Sequence, residues 1–298
     1  MTRSFLIFLI TLSAYGQMPN TSGDGVVELG GFNYSYIPDL GGTEITNYGI
    51  NANLGRPVGK GIIALALGYQ KFDFSFGETF ELLDLSTYEQ MHVVRTNVSY
   101  LRPLKNSWGL LISGGTSLMS NFGNGISSED FVFNAIVGFT KRWGDPQKNS
   151  TLLLGISYGT QFGEPTIFPA ISFRKKLNEH WNYSLGIPVT GINYQINDKH
   201  RLSLLVSAQG LFANNSNEVI TGQNQALTNT KLQFNGVNTR LSYQFIFAKN
   251  LAFFAEAGFV PLATLKVLDD ANEELLDLDP GSGAYINTGL RFIINKKP

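Results

Sequence analysis

Apolar and polar residues alternate along most of this chain, at the period of two that sends successive side chains to opposite faces of a strand. Tyr48, Ile50, Ala52 and Leu54 interleave with Asn47, Gly49, Asn51 and Asn53. Phe131, Phe133, Ala135, Val137 and Phe139 interleave with Asn134, Gly138, Thr140 and Arg142. The same pattern runs through Leu152 to Gly159, Leu202 to Gln209 and Val237 to Phe247. Each run is close to the roughly 9–11 residues with which a tilted strand crosses a bilayer. The pattern predicts an all-β protein, a transmembrane antiparallel up-and-down β-barrel with the apolar set toward lipid and the polar set toward the lumen.

In chain order the pattern gives fourteen strands: 26–37, 44–56, 61–75, 87–102, 108–119, 130–143, 151–162, 166–177, 181–188, 190–197, 201–213, 231–247, 251–263 and 284–294. Pro188 divides the ninth from the tenth as the tip of a hairpin, since proline cannot donate to a ladder. If Pro188 kinks one long strand instead, the count falls to about twelve. Two segments change phase. Ile63, Leu65, Leu67 and Tyr69 share one face, and Phe72, Phe74 and Phe76 share the other; a second shift falls at Gly30-Gly31. A β-bulge produces such a shift.

Short polar connections alternate with mostly longer ones such as 77–86, 121–129, 214–230 and 266–282. In outer-membrane barrels the short turns are periplasmic. An even strand count then leaves both termini on that side. Trp108, Trp143, Trp181, Phe245 and Phe247 all sit beside short turns, as an interfacial aromatic girdle would.

Composition agrees with this picture. Charged residues make up 15%, against roughly 25% in an ordinary soluble domain. The net charge of −1 leaves no basic footprint for nucleic acid. The absence of cysteine excludes disulfides and thiolate metal sites. Residues 1–16 read as a cleavable export signal: Arg3 flanks the apolar run Phe5–Leu12, and Ala14 and Gly16 supply the small residues before the cut. Residues 17–298 then form a single barrel domain. The expected location is the cell outer membrane of a Gram-negative bacterium, with outer-membrane lipid and the barrel-assembly machinery as partners.

The last strand carries Gly289, Leu290, Phe292 and Ile294, and resembles the C-terminal signal read by the barrel-assembly machinery. It departs from that pattern by ending in Lys296-Lys297-Pro298 rather than on an aromatic residue. From about Gly23 to Ile294 the chain resembles the uncharacterised outer-membrane β-barrel families described as domains of unknown function. That resemblance implies location and fold, and names no activity.

Catalytic chemistry finds little support. Gly155-Ile-Ser157-Tyr-Gly159 matches a nucleophile elbow, but that motif needs a sharp strand-to-helix turn and here lies inside an alternating strand. The only histidines are His92, His180 and His200; the last two fall in periplasmic turns, the wrong rim for attack on outer-leaflet lipid. Six carboxylates crowd 266–282, and Asp277-x-Asp279-x-Gly281 has the opening spacing of a calcium loop, yet no closing Glu follows. A solvated acidic loop, with one helical turn at 271–276, is the simpler reading. No cofactor or metal is expected. Arg95, Arg142, Arg174, Arg240, Glu256 and Arg291 fall on the inward phase, where they either line a pore or knit the interior together. The leading expectation is a non-enzymatic pore or passive small-solute transporter. The alternatives are a structural or surface-interaction barrel with binding loops and, less favoured, a barrel-embedded lipid hydrolase.

Overall fold

The computed structural model describes residues 26–77, 83–145, 148–222 and 225–295. The export signal and the final Lys296-Lys297-Pro298 lie outside the described residues. The described chain forms strands β1 (Val26–Leu40), β2 (Thr43–Val58), β3 (Gly61–Phe76), β4 (Gln90–Pro103), β5 (Trp108–Ser120), β6 (Phe131–Trp143), β7 (Ser150–Gly159), β8 (Thr166–Lys176) and β9 (Trp181–Ile187). They continue with β10 (Val189–Gln195), β11 (His200–Asn215), β12 (Val219–Ile220), β13 (Ala226–Leu227), β14 (Thr230–Ala248), β15 (Leu251–Leu268), β16 (Glu274–Asp277) and β17 (Gly283–Asn295). All except β12, β13 and β16 form one closed antiparallel barrel of fourteen strands, in which β17 pairs with both β15 and β1. Pro188 stands between two strands that pair with each other, so the hairpin reading holds.

Local chemistry explains the elements. The β1–β2 hairpin turns on Gly41 and Gly42, both at positive φ, as a two-residue turn matching the strand twist demands. The alternating outward set forms an apolar belt, with Phe133, Ile156, Ile167 and Leu262 each more than 60% exposed. So large a contiguous patch is foreign to a soluble monomer. Beside the short turns a girdle runs from Trp108, under the Lys141 ammonium, through the contacts Trp143–Phe173–Tyr183 to Trp181–Tyr194 and His200–Phe245.

The long-loop end departs from a plain cylinder. The β9–β10 hairpin is only seven residues per strand, and β10 leaves β11 at the Val189–Ser207 pair. Above that point β11 turns inward, and Asn214 pairs in parallel with Ser120 of β5, across the barrel. Nine strands (β1–β5, β11, β14, β15 and β17) thus enclose a narrower upper tier over the fourteen-stranded lower one. A polar latch holds the crossing. Lys231, almost fully buried, reaches Glu129 at 3.2 Å and the Asn214 carboxamide at 3.3 Å, and Asn214 donates to Asp130 at 2.8 Å.

The upper tier is filled. Phe72, Phe74, Met91, Val93, Leu211, Leu232, Phe234, Leu265 and Val267 point inward and form one apolar core. Leu83, Leu85 and Tyr88 from the β3–β4 connection, Val219 and Leu278 from other long loops complete it. The Tyr88 hydroxyl meets the Thr230 hydroxyl at 2.5 Å, and burial raises its pKa. The phase change in β3 is therefore not a bulge: β3 pairs with β2 and β4 without a register shift. The interior face simply turns from small and polar to aromatic where the dry plug begins. A true irregularity does occur in β1, between Glu28 and Gly30. The expected helical turn at 271–276 is instead the short strand β16, which adds to β15 through Val267–Leu276. Lys266 draws it there by pairing with Glu274 at 2.6 Å and Asp277 at 3.3 Å.

The plug predicts an asymmetry in side-chain truncation. Leu265 is fully buried and Leu262 is 69% exposed on the same strand. Leu265→Ala should cost about 2–5 kcal/mol in urea unfolding from lipid vesicles, because it leaves a cavity in a packed core. Leu262→Ala should cost well under half as much. Equal losses would mean that the upper interior is not packed.

Candidate functional site: the polar lumen

Beneath the plug the inward positions of β1–β6 carry a wall of carboxamides. Asn33, Asn51, Asn53, Gln70, Asn97 and Asn134 line a cavity of about 110 Å³. Gln209 of β11 and Thr160 and Gln161 from the β7–β8 connection close its far side. That connection is held inside by Gln161, which donates to the Ala208 carbonyl. The lower fourteen-stranded tier is wide enough to leave this room, because interiors beyond about eight strands outgrow their own side chains.

Most of the wall is cross-braced. Asn97 donates to Asn134 at 3.0 Å, and the Ser99 and Ser113 hydroxyls meet at 2.8 Å beside the Asn97 oxygen. Arg95 donates to Gln70 at 2.9 Å. Asn53 differs: it is 1% exposed, and neither its oxygen nor its nitrogen has a hydrogen-bond partner among the described residues.

The adjoining wall holds a chain of ion pairs across the closing seam, and Asn51 belongs to both. Glu256 of β15 lies 3.5 Å from Arg240 of β14 and 3.9 Å from Arg291 of β17, and accepts from Asn287 at 2.8 Å. Arg291 is 3.6 Å from Glu28 of β1, and Glu28 accepts from Asn51 of β2. Arg240 also donates to Ser207 at 2.7 Å and to Asn238 at 2.6 Å. Arg291 lies over the Phe254 ring and donates to Gln244 at 2.9 Å. Two carboxylates and two guanidiniums thus bind six neighbouring strands, from β11 to β2 across the seam, with no net charge. A wet lumen would screen these pairs to little value. The Glu256 side chain is only 5% exposed, so its pair with Arg240 acts in a dry setting where each partner matters more.

The remaining charged positions separate. Arg95 lines the carboxamide cavity. Arg174 lies on the inward face of β8, half-buried and away from the seam. Arg142 has the inward phase but sits exposed at the short-turn rim, where the strand ends, and lines no enclosed lumen. On β17, Leu290 and Phe292 point outward, while Gly289 gives close approach to the Phe32 carbonyl and the Phe254 ring. Ile294, partly buried, pairs with Val27 at the seam. Ser157 is buried within β7 and donates to the Ala135 carbonyl at 3.1 Å, so it stands on no elbow. His92 contacts the Tyr69 hydroxyl and His200 the Tyr243 hydroxyl. The carboxamide wall was visible in sequence only as a polar phase.

The model of a family described as "Domain of unknown function (DUF6268)" matches residues 69–293. The chain belongs to this family. No curated protein matches it. Among solved structures, the NanC porin is similar at a TM-score of 0.41 and 9% identity, covering 88% of this chain and 98% of that one. The toluene transporter TodX of Pseudomonas putida gives 0.40 and 10%, covering 92% and 91%. LpxR from Salmonella typhimurium gives 0.40 and 7%, covering 88% and 99%. Likeness at this level says nothing of activity.

Within this member of the family the seam network sets a second prediction. Glu256→Gln leaves the nearly buried Arg240 guanidinium without a carboxylate, while Arg291 keeps Glu28, and should lower the unfolding free energy by about 3–5 kcal/mol while the barrel still assembles. Adding Arg240→Gln should cost less than the sum of the single changes, read by a double-mutant cycle in urea. Additive losses would mean that the pair does not interact.

Proposed function

We propose that this protein is a non-enzymatic, outer-membrane passive transporter of small solutes, normally closed on its long-loop side. The observation that carries this reading is the interior itself, a polar lumen roofed by a dry plug built largely from inward strand side chains and completed by the connections between strands. A barrel with a purely structural task has no need of a solvent-sized lumen lined by hydrogen-bonding groups. A hydrolase needs a nucleophile beside a base, and the buried Ser157 and the rim histidines supply no such pair. The apolar belt and the one-sided aromatic girdle support a membrane site, with the short turns periplasmic. On this reading β17 is also the segment that the barrel-assembly machinery engages. The plug gives some weight to a second reading, a structural or loop-presenting barrel.

Two measurements test the proposal. The chain contains no cysteine, so single thiols report cleanly. On intact cells Ala271→Cys in the acidic loop should react with an impermeant maleimide, and Lys60→Cys in the β2–β3 turn should not; reversed labelling would overturn the orientation. In planar bilayers the wild-type barrel should conduct only in brief, infrequent events. Tyr88→Ala, which hollows the plug, should make them several-fold longer or more frequent. Silence from both variants, together with no solute entry into proteoliposomes, would favour the structural barrel.

A further inference from the structure

We propose that the lumen opens sideways to the outer leaflet, between β8 and β11, and that the solutes using this route are small neutral amphiphiles, an apolar ring or short chain carrying a hydroxyl or amide. This rests on the transport reading above for its physiological sense, and adds to it a route and a class of solute.

A tilted strand needs roughly 9–11 residues to cross a bilayer. β8 has eleven and β11 sixteen, but β9 and β10 between them have seven each. The β9–β10 hairpin therefore ends within the outer leaflet, and Ile187 at its tip is apolar and exposed. Beyond the tip two strand edges border a gap. β8 pairs with β9 only as far as Ile171–Ile187, which leaves Thr166–Ala170 paired with β7 alone. β11 leaves β10 at Ser207 and meets no further strand on that side until Asn214 reaches Ser120. Pro169 suits such an edge, because it has no N–H to leave unpaired. Ile167 and Ile171 of β8 and Val206 of β11 are exposed beside the gap, as residues facing lipid would be.

The β7–β8 connection, residues 160–165, fills the gap. Gln161 donates to the Ala208 carbonyl, and Phe162 packs edge-on against Phe168 with ring centroids 5.0 Å apart. The connection lies flat on β11 because Gly210 has no side chain; a Cβ there would collide with the Thr160 carbonyl oxygen and the Gly163 nitrogen. Thr160 and Gln161 also line the lumenal cavity. Six residues that belong to no strand thus stand between the lumen and lipid, whereas the roof above is a packed core. Moving the connection disrupts far fewer apolar contacts than unpacking that core.

Chemistry along the route selects the solute. A molecule entering from lipid meets Phe162 and Phe168 in the gap and the carboxamides of Gln161 and Gln209 behind them. An apolar body suits the rings, and a hydroxyl or amide can both donate to and accept from the carboxamides. No carboxylate lines the cavity to balance a cation, and Arg95, its one cation, already donates to Gln70 at 2.9 Å. With the connection in place the cavity is about 110 Å³, below the roughly 150 Å³ that holds benzene in an engineered site, so a ring enters only as the connection moves.

The test photolabels the full mature barrel in lipid vesicles with a diazirine-bearing benzyl alcohol and reads the labelled residues by mass spectrometry. Label should appear at Phe162 and Phe168 in the gap and at Gln209 or Met119 in the lumen. Excess benzyl alcohol should remove it and glucose should not. Gly210→Ala, which pushes the connection off β11, should raise lumenal labelling several-fold. Lengthening β9 and β10 by two residues each, which extends the hairpin along the free edges, should lower lumenal labelling tenfold and leave label on the outward Ile167 unchanged; this variant decides alone if Gly210→Ala does not fold. Label confined to outward residues, or lumenal label indifferent to the longer hairpin, overturns the lateral route. Competition by glucose overturns the class of solute. Solute entry into proteoliposomes separates the two claims. Lumenal labelling without entry upholds the lateral opening and sinks the transport reading. Entry without lumenal labelling upholds transport and sinks the lateral opening.

Discussion

A sheet in hydrocarbon has no water to satisfy its edges, so every backbone N–H and C=O must find a partner within the wall. In this chain that requirement comes down to the pairing of β1 with β17, which converts an open sheet into a ring. Closure with fourteen strands then creates a second problem. The interior is too wide for its own side chains to fill. The protein meets it unevenly, by pulling β11 across to β5 and reducing the upper tier to nine strands. The narrow tier can be packed by side chains and loops; the wide one is packed only along β5–β8, where Leu111, Ile136, Leu153 and Ala170 cluster, and its other inward positions are largely polar.

The same seam that closes the backbone is braced from within. Glu28, Asn51, Arg240, Glu256 and Arg291 come from five adjacent strands, β2, β1, β17, β15 and β14. A neutral chain of ion pairs is suited to this place. It fixes the register of the closing strands, where a slip of one residue would send every charge to the outward apolar face. Beside it, and joined to it through Asn51, stands the uncharged carboxamide wall. Plug, brace and wall therefore divide the interior into a roof, a clamp at the closing seam and a polar lining.

Strand positions were legible in the sequence because alternation is a local signal repeated in each strand. The phase of Arg240, Glu256 and Arg291 followed from it, although β15 carries a register shift opposite Val237–Thr239. The plug was not legible, because it depends on contacts such as Tyr88 with Thr230 and Asn214 with Ser120 that no local pattern encodes. Its one trace was the phase change at Phe72, which a bulge would mimic. Arg142 looked lumenal because phase says which face a residue takes and not how near the rim it lies. The 271–276 segment looked helical until Lys266 supplied carboxylate partners on a neighbouring strand. Which asparagine goes unpaired depends on its neighbours across the sheet, so Asn53 could not be told from Asn51 or Asn97 by sequence.

The division of the interior into a dry upper tier and a wet lower one is the claim on which the rest stands. It is tested most directly by the water accessibility of two inward alanines. Ala66 lines the lumen and Ala213 lies fully buried in the plug. With a spin label introduced through Ala66→Cys or Ala213→Cys, collision with a water-soluble nickel chelate should be high at the first and near zero at the second. High accessibility at both sites would mean a continuous open channel, and near zero at both a barrel with no lumen; either result would contradict this account.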